Sequence, residues 1–446
     1  MINTRNTIIF LAALSLIIHL VPFLIFGPHP LGYDTGFYRR YVIQPFTSFP
    51  NTPVPGFGEN ALTPRIFLDI IRLFKFTPDI ILYGGYLFLF IIQPVALFFF
   101  VRQRFGNRSG ILAAIFLIAS PVQYTAYWYM LFKSAFAIPL ILITFLMLER
   151  NSHLAVPFGI LIAFSHHTTG IIFLLTLAVY LILNHKRRAL TAAVLTGTML
   201  AFLYLHSDSL PDYLSAPVAV FMGWKEYALL SLPLFLMALW GVKGFFYDNP
   251  RSTAVALFIV AAAFPIFFLP FYERIFIFTD IIIVVASALG FKNLLNNMPR
   301  SRLTKIKLIH LVLVILLPLW VLLNLYGRIQ NLRPLVSGPD LEELENIRQI
   351  VPNNAAILTS TPLAPWVQGW SQNRVVAPGM LHDTHTVQEW VSFSIGSREE
   401  KIDFLKNFPK PLYVFLIPSE KEKFLENFKD CFREDAPYLS QYICND

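Results

Sequence analysis

The sequence predicts an α-helical polytopic membrane protein of about eleven transmembrane helices, N-terminus in and C-terminus out, with a small C-terminal extracytoplasmic α/β domain. Three observations predict it. Of 446 residues, 56% are hydrophobic and 14% charged, against roughly 25% charged in soluble proteins. Apolar runs able to cross about 30 Å of hydrocarbon recur along the chain. Short basic clusters separate them in an alternating order.

The runs fall at 7–26, 78–101, 109–126, 134–148, 154–166, 170–184, 189–205, 227–246, 252–270, 275–291 and 308–326. The first is too long for a signal h-region and no small-residue cleavage site follows it, so it reads as a retained span. Arg102, Arg104 and Arg108 form one basic cluster, and Lys186, Arg187 and Arg188 a second. Lys292, Arg300, Arg302, Lys305 and Lys307 form a third. With eleven spans and a cytoplasmic N-terminus all three fall inside, as the positive-inside rule requires. The formal charge of +8 is therefore topology information and does not suggest nucleic acid.

Two domains are expected, a transmembrane domain at 1–331 and an extracytoplasmic α/β domain at 332–446. The first outer loop, 27–77, belongs to the former and is too long for a simple connector. Its middle, 45–64, is rich in Pro, Gly, Asn and Thr and reads as irregular. Its end, 62–76, places Ile66, Ile70, Leu73 and Phe74 on one helical face and Arg65, Asp69, Arg72 and Lys75 largely on the other. That pattern suits a helix in the interface or one packed on the outer domain. Beyond 335 a helix at 341–350, strands at 355–359, 374–377 and 412–417, and helical patterns at 385–407 and 419–430 imply a small α/β fold. Cys431 and Cys444 are the two cysteines, and an extracytoplasmic tail would let them close a short terminal loop as a disulfide.

Polar groups without a topological role all fall on the outer side. They are 34–41, 124–133, 166–169, 208–212 and the pair Glu273–Arg274. The segment 32–41 is the densest, and a charge beside lipid is costly unless solvated, paired or put to use. Asp34, flanked by Gly32 and Gly36, is suited to take a proton, orient an amide or bind a divalent metal. An Asp34–Arg ion pair shaping the loop is the competing reading. Arg39 and Arg40 are candidate phosphate contacts, because a guanidinium meets phosphate through two parallel hydrogen bonds.

Tyr124, Tyr127, Trp128 and Tyr129 read as an aromatic outer loop of the interfacial-belt kind, with Lys133 as its unexplained cation. His166 and His167 interrupt the apolar sequence. Neighbours on a helix point about 100° apart, so the two do not readily share one metal; one of them reads as supporting a ligand or facing a phosphate, or both as a polar turn that satisfies exposed backbone groups. Glu273 and Arg274 read as a tight hairpin in which Arg274 is a second phosphate contact or an ion pair seals the turn. No nucleotide-binding signature occurs, which disfavours a primary pump or a cytosolic nucleotide-sugar enzyme.

The spacing Asp34-x-x-Phe37-Tyr38-x-Arg40, directly after the first span, resembles the first-outer-loop motif of the GT-C superfamily, in its oligosaccharyltransferase-like branch. Those are polytopic glycosyltransferases that use polyprenyl-phosphate-linked sugars. Trp366-Val-Gln-Gly-Trp370 is similar to the branch's Trp-Trp-Asp-Tyr-Gly acceptor-recognition motif but lacks its acid. The resemblance implies Asp34 as the catalytic acidic residue. It implies Arg39, Arg40, Lys133, His166 and Arg274 at the lipid phosphate, and Tyr38, Glu273, Trp366 and Trp370 at the acceptor or substrate. It implies a polyprenyl-phosphate-linked donor, a glycan, lipid or protein acceptor, and residence in the cell membrane. The branch carries a paired acidic motif in its second outer loop, whereas 123–133 holds no acid, so no metal cofactor is expected. A metal-independent reaction, as in mannosyltransferase relatives, and an inactive member both stay open. Two other functions compete: a transporter or flippase, which would show internal repeats and mid-depth polar residues, and a non-catalytic membrane subunit.

Overall fold

The structure is a computed structural model that describes residues 3–27, 31–43, 51–53, 62–64, 77, 80–206, 222–269, 272–296, 305–371, 373–381, 383, 385–426 and 428–444. The chain divides into two compact units. Met1–Gly27, Pro64–Ile70 and Gly84–Arg333 form the first, and Pro28–Thr63, Ile71–Tyr83 and Pro334–Asp446 the second. The described loop residues 31–43, 51–53 and 62–63 group with the second unit.

The first unit is a bundle of helices α1 (Thr4–Phe26), α3 (Tyr86–Phe105), α4 (Asn107–Ala119), α5 (Pro121–Trp128), α6 (Phe132–Glu149), α7 (Ala155–Ala163), α8 (His167–Leu183), α9 (Arg188–His206), α10 (Trp224–Leu239), α11 (Thr253–Ile266), α12 (Tyr272–Asn296) and α13 (Lys305–Asn331). Each expected apolar run overlaps at least one of them, and 109–126 is divided between α4 and α5. Among the described residues six helices are long and apolar enough to cross a membrane, or seven if the bent pair α4–α5 is one span. The remaining expected spans lie on shorter helices, α7 being nine residues long. The 51° bend in the pair has a local cause. Ser120 stops α4 and its side chain caps α5, while Pro121 brings no N–H to continue the ladder.

The two ends of this bundle differ in chemistry. At one, Glu149 is buried and accepts from Thr253 N at 3.1 Å and Thr253 Oγ1 at 3.2 Å. Arg104 and Arg187 flank the same carboxylate at 3.7 and 3.8 Å, and Lys292 Nζ reaches Phe105 O at 3.5 Å. Members of all three basic clusters therefore meet here, beside Arg102, which donates to Thr4 Oγ1 at 2.9 Å. A buried carboxylate persists only when paired and hydrogen-bonded, and Glu149 is both. At the other end Arg328 pairs with Glu226, Trp128 Nε1 donates to Arg333 O at 3.3 Å, and Arg333 lies 5.4 Å over the Phe26 ring.

The second unit is built on a six-stranded sheet of order β5-β4-β3-β6-β8-β7. Its strands are β3 (Ala356–Thr359), β4 (Arg374–Ala377), β5 (Met380–Leu381), β6 (Leu412–Phe415), β7 (Phe432–Ala436) and β8 (Leu439–Tyr442). β3 pairs in parallel with both β4 and β6, and the outer strands are antiparallel. Helix α14 (Gly338–Ile350) precedes β3, α15 (Ala364–Ser371) joins β3 to β4, α16 (Val387–Ile395) and α17 (Arg398–Lys406) lead to β6, and α18 (Pro418–Leu425) follows it. The short helix α2 (Thr35–Ile43) and the paired strands β1 (Asn51–Pro53) and β2 (Leu62–Pro64) come from the first loop. β2 stands where the 62–76 helix was expected to begin, and 65–76 lies outside the described residues.

Leu358, Val376, Leu405, Leu412, Val414 and Phe428 pack one core of this sheet. Cys431 and Cys444 are disulfide-bonded across the base of the β7–β8 hairpin. A cross-link over a sequence separation of 13 limits the unfolded chain, so Cys431→Ser with Cys444→Ser should destabilise the domain by about 3 kcal/mol. Chemical denaturation of oxidised and variant protein would check it, and equal midpoints would refute it.

Candidate active site

The chain leaves α1 through Gly27 and turns at Gly32, whose φ of 79° no bulky residue adopts readily. Asp34 follows, half-buried, and its carbonyl accepts from Tyr38 N at 3.1 Å, opening α2. A carboxylate at a helix N-terminus is favoured by the backbone dipoles there. Thr35, Phe37 and Tyr38 are buried, and the Tyr33 hydroxyl donates to Thr361 O at 2.8 Å. Burial and then the nearby Asp34 charge push the Tyr33 phenol up to about 12.

α2 lies against α15 with almost no space between backbones. A Cβ on Gly36 would sit 1.8 Å from Pro365 O, and one on Gly369 would sit 2.4 Å from Gly36 O. Arg39 Nη1 donates to Gly369 O at 2.8 Å, and its guanidinium lies 4.5 Å over the Trp370 ring. Trp366 and Trp370 are buried and stacked at 5.3 Å.

These contacts show how the expected site residues of this unit are held. Arg39 meets a carbonyl through Nη1 and an indole face through its guanidinium plane. Trp366 and Trp370 are packed inside the unit, with the Trp370 ring under Arg39 of α2. Tyr38 is likewise a packing residue, being 5% exposed. Arg40 behaves differently. Its Nε and Nη1 are buried with no hydrogen-bond partner among the described residues. Burial first, and then the like charge of Arg348 on α14, lower its pKa. A guanidinium with two unused donors and a second cation near enough to shift it is an arrangement suited to an anion. Arg348 was not singled out from sequence, where it looks like an ordinary basic residue in the last turn of an amphipathic helix.

The other candidates belong to the first unit. Lys133 lies in the first turn of α6. The aromatic segment before it is not an outer loop. Tyr124, Tyr127 and Trp128 are buried in α5, where Tyr127 donates to His19 O at 2.7 Å and stacks on Tyr86 at 5.4 Å. Tyr127 and Trp128 find polar partners for their tips inside the protein, whereas the buried Tyr124 hydroxyl has none among the described residues. His166 stands just before α8, its Nδ1 2.8 Å from Thr169 Oγ1 and its ring 4.8 Å from His167 in T-shaped contact. Glu273 and Arg274 are not in a hairpin but in the first turn of α12, where an acid complements the helix dipole. Tyr272 OH donates to Glu273 Oε1 at 3.2 Å. The segment 208–212 lies outside the described residues.

Asp280 on α12 was missed. It is fully buried, with Oδ2 accepting from Ser120 Oγ at 2.8 Å and Gln123 Nε2 at 2.9 Å. The signal was present, since a lone acid inside an apolar helix is rare without a role.

Among the described residues no three of His, Cys, Asp and Glu come together in a metal-binding group, and 123–133 contains no carboxylate.

No family model matches the chain, and no curated protein matches it by sequence. Solved structures do share its fold. The apo oligosaccharyltransferase of Archaeoglobus fulgidus aligns with a TM-score of 0.66 at 10% identity, over 92% of this chain and 69% of that one. The oligosaccharyltransferase AglB of the same organism, in complex with an inhibitory peptide and a dolichol-phosphate, gives 0.64 at 10% identity over 98% and 74%. ArnT from Cupriavidus metallidurans bound to undecaprenyl phosphate gives 0.60 at 11% identity over 99% and 98%. All are GT-C glycosyltransferases, and this chain has the fold that they share.

Proposed function

We propose that the protein is a membrane glycosyltransferase that moves a sugar from a polyprenyl-phosphate-linked donor to a glycan, lipid or protein acceptor on the outer face of the membrane. The observation that carries this reading is Asp34, a carboxylate at the start of an immobilised helix directly after the first span. Solved structures with this fold hold dolichol-phosphate and undecaprenyl phosphate. Eleven spans with the N-terminus inside are part of the proposal, supported by the gathering of three basic clusters at one end of the bundle.

In the reaction the acceptor nucleophile attacks the anomeric carbon and its proton passes to Asp34. The bond from that carbon to the phosphate oxygen breaks, and the polyprenyl phosphate leaves with the electron pair. Arg40, with its two unused N–H groups, stabilises the charge that develops on the leaving oxygen. Lys133, His166 and Arg274 keep their assignment as candidate phosphate contacts of the first unit, and Glu273 as a substrate candidate. No step runs through a metal.

Arg40→Lys tests the donor site. An ammonium keeps the charge but not the planar fork. Affinity for a polyprenyl-phosphate analogue should fall about ten- to a hundredfold, the worth of one charge-assisted contact. Unchanged binding by folded Arg40→Lys protein would remove Arg40 from the site.

A further inference from the structure

We infer that segment 361–370 of the C-terminal domain is the positioning platform for Asp34, with Gly369 and Trp370 as its determinants. This rests on the glycosyltransferase reading for its effect on turnover, but its structural half stands apart from that reading.

Three anchors bracket Asp34 along the chain. One residue before it, the Tyr33 hydroxyl holds Thr361 O at 2.8 Å. Two residues after it, Gly36 touches the Pro365 and Trp366 backbones so closely that only a glycine fits. Five residues after it, Arg39 donates to Gly369 O and covers Trp370. The partners of all three lie within ten residues of each other, across the β3–α15 connection and α15 itself. The order β4-β3-β6, parallel throughout, is the arrangement in which an open α/β sheet has a switch point beside its first strand. Such sheets take their ligands at the carboxyl ends of the strands there. In this domain that end of β3 receives the chain's own α2. The acid-lacking Trp366–Trp370 motif therefore acts on Asp34 through α2, as a positioning element, and not on an acceptor.

The test uses full-length protein with Gly369→Ala, Trp370→Leu and Trp370→Phe. Sugar transfer is measured as kcat and donor KM, and hydrogen exchange of amides 35–43 is followed in parallel. A displacement of about 1 Å at a reacting group costs about 10²-fold. Gly369→Ala should therefore lower kcat by about that factor with donor KM little changed, and exchange in 35–43 should speed up. Trp370→Leu should move both readouts the same way, and Trp370→Phe should restore them by giving Arg39 an aromatic face again. If Gly369→Ala does not fold, the Leu and Phe pair still decides, and equal behaviour of the two overturns the platform. If wild-type protein transfers no sugar from polyprenyl-phosphate donors, the functional reading fails and exchange alone judges the platform. Wild-type exchange in both Gly369→Ala and Trp370→Leu overturns it.

Discussion

Asp34→Asn should abolish sugar transfer, with a fall of about 10²–10⁴-fold in kcat, while expression and membrane insertion stay near wild type. That range is what a positioned general base contributes. The substitution keeps the shape of the side chain and removes its charge. Tyr33, Gly36 and Arg39 anchor the segment around Asp34 on either side of it. Loss of activity with wild-type hydrogen exchange in 35–43 would report chemistry and not collapse of the loop. The Tyr33 phenol, pushed up to about 12 by burial and by Asp34, stays neutral at working pH and does not substitute as a base. Turnover is best assayed in membranes with a polyprenyl-phosphate sugar, beside hydrogen exchange of 35–43. Wild-type turnover in the Asn variant would make Asp34 a structural residue and leave the reaction without its base.

The parts of the fold legible in the sequence are those that a bilayer dictates. The apolar runs are helical where described, because backbone in hydrocarbon must satisfy its own polar groups, and among the described residues six or seven of them are long enough to span. The strands at 356–359, 374–377 and 412–415 were legible because burial on both faces makes continuous apolar runs. Strand β7, Phe-Arg-Glu-Asp-Ala, was not, since an edge strand carries charges and shows no alternation. Aromatics mislead for a related reason. Tyr124, Tyr127 and Trp128 have the composition of an interfacial belt, and only tertiary contacts such as Tyr127 to His19 show that they are interior. The seating of α2 on α15 joins residues some 330 positions apart in sequence, and no local pattern announces such a contact. Asp34 was found from its surroundings, whereas the work of Arg39 and Trp370 became visible only with their partner in place.

Asp280→Ala should destabilise the first unit by about 2–5 kcal/mol, whereas Asp280→Asn should change it by less than about 1 kcal/mol. The difference follows from how the carboxylate is used. Its Oδ2 alone accepts from Ser120 Oγ and Gln123 Nε2, and Gln123 Nε2 also reaches Ile277 O at 3.0 Å. Gln93 Nε2 extends the chain to Gln123 Oε1 at 3.2 Å, so helices α3, α5 and α12 share one polar network. Alanine strips the acceptor and leaves two buried donors without it, at about 1–3 kcal/mol each. Asparagine keeps one carbonyl oxygen where Oδ2 stands and puts an amide where Oδ1 has no partner. Networks of this kind fail as a unit when one member is lost. Thermal unfolding of the three proteins in one detergent would measure it. Equal losses in the Ala and Asn variants would show that the charge of Asp280, and not its acceptor oxygen, holds the bend between α4 and α5 in place.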